Sequence, residues 1–233
     1  TLAMKGGAYV YYFENYVSKN SLSDFISPII DFLSSIGINF FGSDPVSAGF
    51  GLFNAGGIIF MIIGIGLSKM LADKYGKRNV FGVFLFISTL FILVFYVLSP
   101  DSINLIFGAQ IFHGFFYGIT IPLLWAMIAD VADYSEWKNN RRATAIIFSA
   151  MMVGLKLGLS IGGALVASIL GSYGYVPNSV GEQTESAILG TKMLVSIFPS
   201  IPFLVAAALL FFYVIDKKME EKIEQDLLKK RKS

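Results

Sequence analysis

Residues 143–170 read ATAIIFSAMMVGLKLGLSIGGALVASIL, a run of 28 residues in which Lys156 is the one charge. A helix needs roughly 20 mostly apolar residues to cross about 30 Å of bilayer hydrocarbon, and this run exceeds that. Working outward from it, further apolar runs lie at about 4–18, 45–67, 79–98, 103–128 and 188–215, the first of them looking clipped. They are continuous rather than alternating, which excludes barrel strands. In lipid the remaining way to satisfy every backbone donor and acceptor is a helix. The sequence therefore predicts an all-α integral membrane protein with six transmembrane helices.

Composition agrees with a bilayer environment. The chain has 233 residues, 55% of them hydrophobic and 15% charged, with a mean hydropathy of +0.67, too apolar for an ordinary soluble domain. A net charge of +2 names no nucleic-acid partner. Without cysteine there is no disulfide framework and no thiolate metal site. Thr1 to Gly7 lack the basic start and apolar core of a removable signal peptide, so none is expected.

Basic residues in short connections mark the cytoplasmic side. Lys69, Lys74, Lys77 and Arg78 follow the second run, and Lys138, Arg141 and Arg142 follow the fourth. The tail carries Lys217, Lys218, Lys222, Lys229, Lys230, Arg231 and Lys232. The opposite connections hold Lys19 and Lys192 beside Asp24, Asp31, Asp44, Asp101, Glu182 and Glu185. Both termini are expected in the cytoplasm, as six spans require. Residues 1–215 then form the bundle, with an outer amphipathic insertion at about 19–44, where Phe25, Ile26, Ile29, Ile30, Phe32, Leu33 and Ile36 recur at near-helical spacing. Residues 216–233 form a charged cytoplasmic tail, either a helix packing one apolar edge or a solvated segment.

The sequence holds no phosphate loop, no HExxH, no nucleophile elbow and a single histidine, so it is not expected to be an enzyme and no cofactor is called for. What remains is polar chemistry at membrane depth, costly unless it meets a cavity or a partner. Lys156 stands near mid-span, and Ser149, Met152, Ser160 and Gly163 share its face. It is either locked to one carboxylate or pairs in turn with a carboxylate, a substrate hydroxyl or a competing cation. Gly154, Gly158 and Gly162 recur at spacing four, a seam for close helix packing. Gln110, His113, Tyr117 and Thr120 lie on one helical face with hydrogen-bonding groups throughout, as a sugar needs. Tyr9, Tyr12 and Tyr16 share a face that either stacks on a pyranose ring or anchors at the interface. After the second run, Asp73-Lys74-Tyr75-Gly76-Lys77-Arg78 follows the pattern Asp, basic, x, Gly, basic, basic of the major-facilitator loop.

After the fourth run the chain reads Ala129-Asp130-Val131-Ala132-Asp133-Tyr134-Ser135-Glu136-Trp137-Lys138, then Arg141-Arg142, Phe148-Ser149, Lys156 and Gly162-Gly163, with Gly174-Tyr175-Val176-Pro177-Asn178 further on. This combination resembles the glycoside-pentoside-hexuronide:cation symporters of the major facilitator superfamily. The resemblance implies two six-helix bundles with the sugar held between them, this chain being the C-terminal one. It implies a sugar or glycoside substrate, coupling to Na⁺ or H⁺ bound mainly by an N-terminal six-helix bundle absent here, and residence in the bacterial inner membrane. It also places Lys156 near the sugar and cation sites, and Asp130, Asp133, Glu136 and Arg142 in a cytoplasmic gate with Asp73 and Arg78. Met151 and Met152 stand where a member of that family has polar side chains, so the substrate is not carried over. A non-transporting membrane sugar sensor or scaffold on the same bundle is the alternative.

Overall fold

The computed structural model describes residues 1–38, 44–177 and 182–232, and among them every regular element is helical. In chain order they are α1 (Leu2–Asn15), α2 (Lys19–Ser35), α3 (Pro45–Tyr75), α4 (Lys77–Val94), α5 (Ile103–Asn139), α6 (Thr144–Ser172), α7 (Glu185–Val195), α8 (Ile197–Leu209), a 3₁₀ turn (Leu210–Phe212) and α9 (Lys217–Lys232). Of the region 19–44, α2 covers the first part, and residues 39–43 lie outside the described residues, as does Asn178.

Local chemistry sets the helix ends. Asp44 caps α3 by accepting from the Ser47 amide at 2.9 Å and the Ser47 hydroxyl at 2.6 Å. Those bonds hold its carboxyl below the usual carboxylate range. Pro45 at the first helical position gives up an amide that had no partner anyway. Gly76, at φ +83°, separates α3 from α4 with a backbone that a side chain would strain.

Among the described residues five stretches are long and apolar enough to cross a membrane: Pro45–Tyr75, Lys77–Val94, Ile103–Asn139, Thr144–Ser172 and Glu185–Phe212. Six were expected, and the difference is α1. Its 14 residues, starting at Leu2, cover about 21 Å at 1.5 Å per residue. The last stretch is broken between α7 and α8 at Ser196 (φ −125°, ψ −79°). Pro199 has no amide to offer the Val195 carbonyl, and serine hydroxyls take up the slack nearby. Ser196 donates to the Lys192 carbonyl at 2.5 Å and Ser200 to that of Ser196 at 2.6 Å.

Helices α3 and α5 form the spine. A Cβ added to Gly114 would run into the backbone carbonyl of Gly57, so the two helices meet main chain to main chain. Helix α4 packs beside α5 and also meets α8, while α1 lies against α6 and α7. Towards the ends opposite the basic connections an aromatic cluster closes the interior, with Phe53 at 4.7 Å from Tyr9 and 5.0 Å from Phe13, centroid to centroid. At 37 residues, α5 is about 55 Å long, so its basic end projects past the hydrocarbon. Helix α9 folds back onto that projection, burying Ile215, Ile223 and Leu227 against Val131, Tyr134 and Trp137.

Candidate functional site

Two groups of polar side chains stand out, one inside the bundle and one at its basic end. The interior group gathers on α1 and α5. The Gln110 side chain is buried against α3, where a Cβ on Gly57 would come within 2.7 Å of its Nε2. Its Oε1 accepts from the Tyr9 hydroxyl at 2.9 Å and from the Lys5 ammonium at 3.5 Å. Lys5 is only 4% exposed, and its Nζ lies 5.2 Å from the Tyr9 ring centroid. Among the described residues no carboxylate lies within ion-pair distance of it. One turn along α5, His113 is buried with Nδ1 at 3.0 Å from the Ser88 carbonyl. A carbonyl only accepts, so this nitrogen carries the proton. Tyr117 stacks between His113, at 5.8 Å, and Phe203 of α8, at 5.6 Å. Thr120 bonds back to the Tyr117 carbonyl at 2.7 Å.

Of the tyrosines on α1, Tyr16 donates to the Leu98 carbonyl at 2.6 Å. Tyr12 is fully buried, and among the described residues its hydroxyl has no partner, a costly arrangement that usually signals an unseen donor, acceptor or water. Tyr9 joins Gln110, which ties the tyrosine face of α1 to the polar face of α5.

Lys156 and Ser149 are elsewhere. Both are exposed on α6, as is every residue from Met152 to Ile161. A Cβ on Gly154, Gly158 or Gly163 would meet nothing within 4 Å, whereas one on Gly162 would touch the Ala3 side chain at 3.0 Å. The glycine seam is thus occupied at one end and open through the rest. The structure brings Gln110, His113, Tyr117 and Tyr9 together and leaves Lys156 and Ser149 apart from them, on a stretch of α6 that is exposed all round.

At the basic end, Lys77 lies 2.7 Å from Asp130 and 2.9 Å from Glu220 of α9. These groups and Asp133 border a cavity of about 370 Å³. Arg142 is largely exposed and lies 3.7 Å from Glu136. Arg78 donates to the Tyr213 carbonyl at 3.0 Å. The backbone carbonyl of Asp73 accepts from Lys217 at 2.6 Å, and Trp137 donates to Asp226 at 3.0 Å. Lys77 therefore joins Asp130 to Glu220 of the tail, and Arg142 pairs with Glu136.

Reading spans by their apolar runs passed over three members of these groups: Lys5, Lys77 as the partner of Asp130, and Glu220. For Lys5 a signal existed, because it lies four residues before Tyr9 and so on the tyrosine face. For Glu220 none did, since nothing in a mixed-charge tail says which acid folds back.

Residues 32–217 match a family described as MFS/sugar transport protein. The chain is 35% identical to the uncharacterized 29.9 kDa protein in crtE 3'region of Pseudescherichia vulneris, over 67% of this chain and 57% of the relative. It is 32% identical to the uncharacterized symporter YjmB of Bacillus subtilis (strain 168), over 72% of this chain and 36% of that protein. With the glucuronide carrier protein homolog of Escherichia coli (strain K12) it shares 30% identity over 73% of this chain and 38% of the relative. The matched stretches thus span from about a third to somewhat over half of these relatives' lengths.

Proposed function

This chain belongs to the family of MFS/sugar transport proteins, transporters rather than enzymes, and we propose that it supplies the C-terminal half of a cation-coupled sugar or glycoside symporter. It is an integral membrane protein of several membrane-spanning helices. The observation that carries the reading is the exposed middle of α6, where the face carrying Lys156, Ser149 and glycines has no neighbouring helix against it among the described residues. A charge facing lipid at that depth costs roughly 2.5–3.5 kcal/mol or more. Facing a watered path between two bundles, it costs far less. The face is accordingly one wall of a substrate path, and an N-terminal six-helix bundle is the other.

In this reading α1 counts as the sixth helix of the bundle. Lys156 and Ser149 meet substrate and cation on the wall of the path. Gln110, His113 and Tyr117, with Tyr12 and Tyr16, form the polar layer behind it, and the unpartnered Tyr12 hydroxyl is the free donor. The coupling ion, Na⁺ or H⁺, sits mainly on carboxylates of the other bundle, because this half brings ammonium groups and not acids to mid-membrane. The glucuronide in the name of one relative favours a glycoside over a free ion as cargo.

Transport proceeds by alternating access. Asp130, bound to Lys77, and Glu136, bound to Arg142, hold the gate with Asp133, Asp73 and Arg78, and the gate opens when those pairs part. The basic residues at this end support a cytoplasmic position for it and for both termini, in what we read as a bacterial inner membrane.

Uptake of a panel of labelled pentosides, hexosides and hexuronides, with and without a Na⁺ or H⁺ gradient, tests the proposal in cells making the chain alone or with a matched N-terminal bundle. Gradient-driven uptake with both halves is the expected result, and the gradient that drives it names the ion. Saturable binding with no flux in any combination would overturn transport in favour of a sensor or scaffold.

A further inference from the structure

A groove of about 580 Å³ runs between α4 and α8, starting at Arg78 beside the basic connections. Its floor is short: Gly82 on α4 faces Ala207 and Ala208 on α8, and a Cβ on Gly82 would sit 3.2 Å from the Leu210 side chain. Arg78, Gly82 and Phe86 follow one another at spacing four, so they lie above each other on one face and cover about 12 Å of helix. The flanks are apolar and open, with Phe86 47% and Phe211 89% exposed. This is a different surface from the open face of α6, which carries a lysine, serines and glycines.

Charge enters the groove only at its mouth. Arg78 is half-buried and anchored by one bond to the Tyr213 carbonyl, and among the described residues no carboxylate lies within ion-pair distance of it. The neighbouring Lys77 is matched by Asp130 and Glu220, and Asp216 spends an oxygen on capping α9 at the Met219 amide. The guanidinium therefore keeps most of its N–H donors for something outside the chain. On a lipid-facing surface, an apolar trough ending at a fixed guanidinium matches one amphiphile: an acyl chain with an anionic phosphate head.

We propose that this groove is a binding site for one anionic phospholipid of the leaflet bordering the basic connections, its phosphate on Arg78 and an acyl chain between α4 and α8. The site needs only the bilayer and no partner bundle, although Arg78 is shared with the gate proposed above.

The test is native mass spectrometry of the whole chain, released from mild detergent after exposure to palmitoyl-oleoyl phosphatidylglycerol or to the matching phosphatidylcholine. One phosphatidylglycerol should be retained about tenfold better than phosphatidylcholine, in line with a charge-assisted contact. Arg78→Gln should abolish that preference and Arg78→Lys should keep part of it. Ala207→Phe, filling the groove, should lower retention of both lipids, while Arg142→Gln, away from the groove, should change neither. Equal retention of the two lipids by the unaltered chain, or an undiminished preference in Arg78→Gln, overturns the proposal. The two Arg78 variants decide it even if Ala207→Phe fails to fold.

Discussion

Lys156 of α6 and Lys5 of α1 have opposite surroundings. Lys156 interrupts an apolar run of 28 residues yet is exposed in the open middle of α6. Lys5, near the start of α1, is buried with a long 3.5 Å bond to the neutral Gln110 amide and the face of Tyr9 for company. Position in a run reveals how far an ammonium is from water along the helix. Burial against other helices is a separate quantity, and it decides which of the two carries a desolvation cost within this bundle.

The packing around the two lysines should respond most sharply. Gly114→Val pushes a side chain into the α3 backbone behind Gln110 and should lower stability by about 1–3 kcal/mol, as overpacking does. Gly158→Val, with nothing within 4 Å, should leave the thermal unfolding of the detergent-purified chain unchanged. Equal losses at the two glycines would erase the distinction between a closed and an open side.

Next come the lysines themselves. Lys5→Met keeps the length and removes a buried charge without an acidic partner, so unfolding should be raised by about 1–3 kcal/mol. Lys156→Met should leave the melting temperature alone and abolish gradient-driven uptake. A destabilised Lys5→Met would mean that the Gln110 bond outweighs desolvation, and full uptake by Lys156→Met would remove that residue from the path.

A smaller effect separates the gate from both. Lys77→Ala leaves Asp130 and Glu220 facing each other without their shared cation, and release of α9 from α5 should follow, at a cost of about 1 kcal/mol for partly exposed pairs. Trp137, which donates to Asp226 of α9, reports that release as a change in fluorescence. Unchanged emission and unchanged protease resistance of the tail would mean that the apolar contacts of α9 suffice.

The least effect lies at the opposite end. Asp101 accepts from Ser21 of α2 at 2.8 Å, and hydrogen bonds from Ser21 and Ser18 hold its carboxyl below the usual range. A lowered pKa contributes stability above the unfolded value and loses it as pH falls through the folded one. Protection of α2 amides from hydrogen exchange should weaken on acidification in that window and become pH-independent in Asp101→Asn.

The helices were legible because hydrophobic length is a local property. The runs at 45–67, 79–98, 103–128, 143–170 and 188–215 became α3, α4, α5, α6 and the α7–α8 pair. The count of spans was less secure. Residues 4–18 suggest a crossing, and α1, which starts at Leu2, is not among the five stretches that meet the length. Gln110, His113 and Tyr117 could be placed on one face from spacing alone. That Tyr9 and Lys5 share the Gln110 amide, and that Asp130 holds Lys77 rather than Arg142, depends on which helices become neighbours.

By itself, then, the sequence determined the all-helical membrane class, the basic end and the polar stripe of α5. Each follows from composition or from a period of 3.6 residues, and neither needs a partner to be read. The tertiary structure decided which lysine is enclosed, which acid of the tail folds back, and where α6 stands open. Those outcomes rest on the contact of α3 with α5 through Gly57 and Gly114, and on contacts between residues far apart in sequence, as in the bond from the Lys217 side chain to the Asp73 carbonyl, 144 residues away. Periodicity along one helix carries no information about contacts of that range.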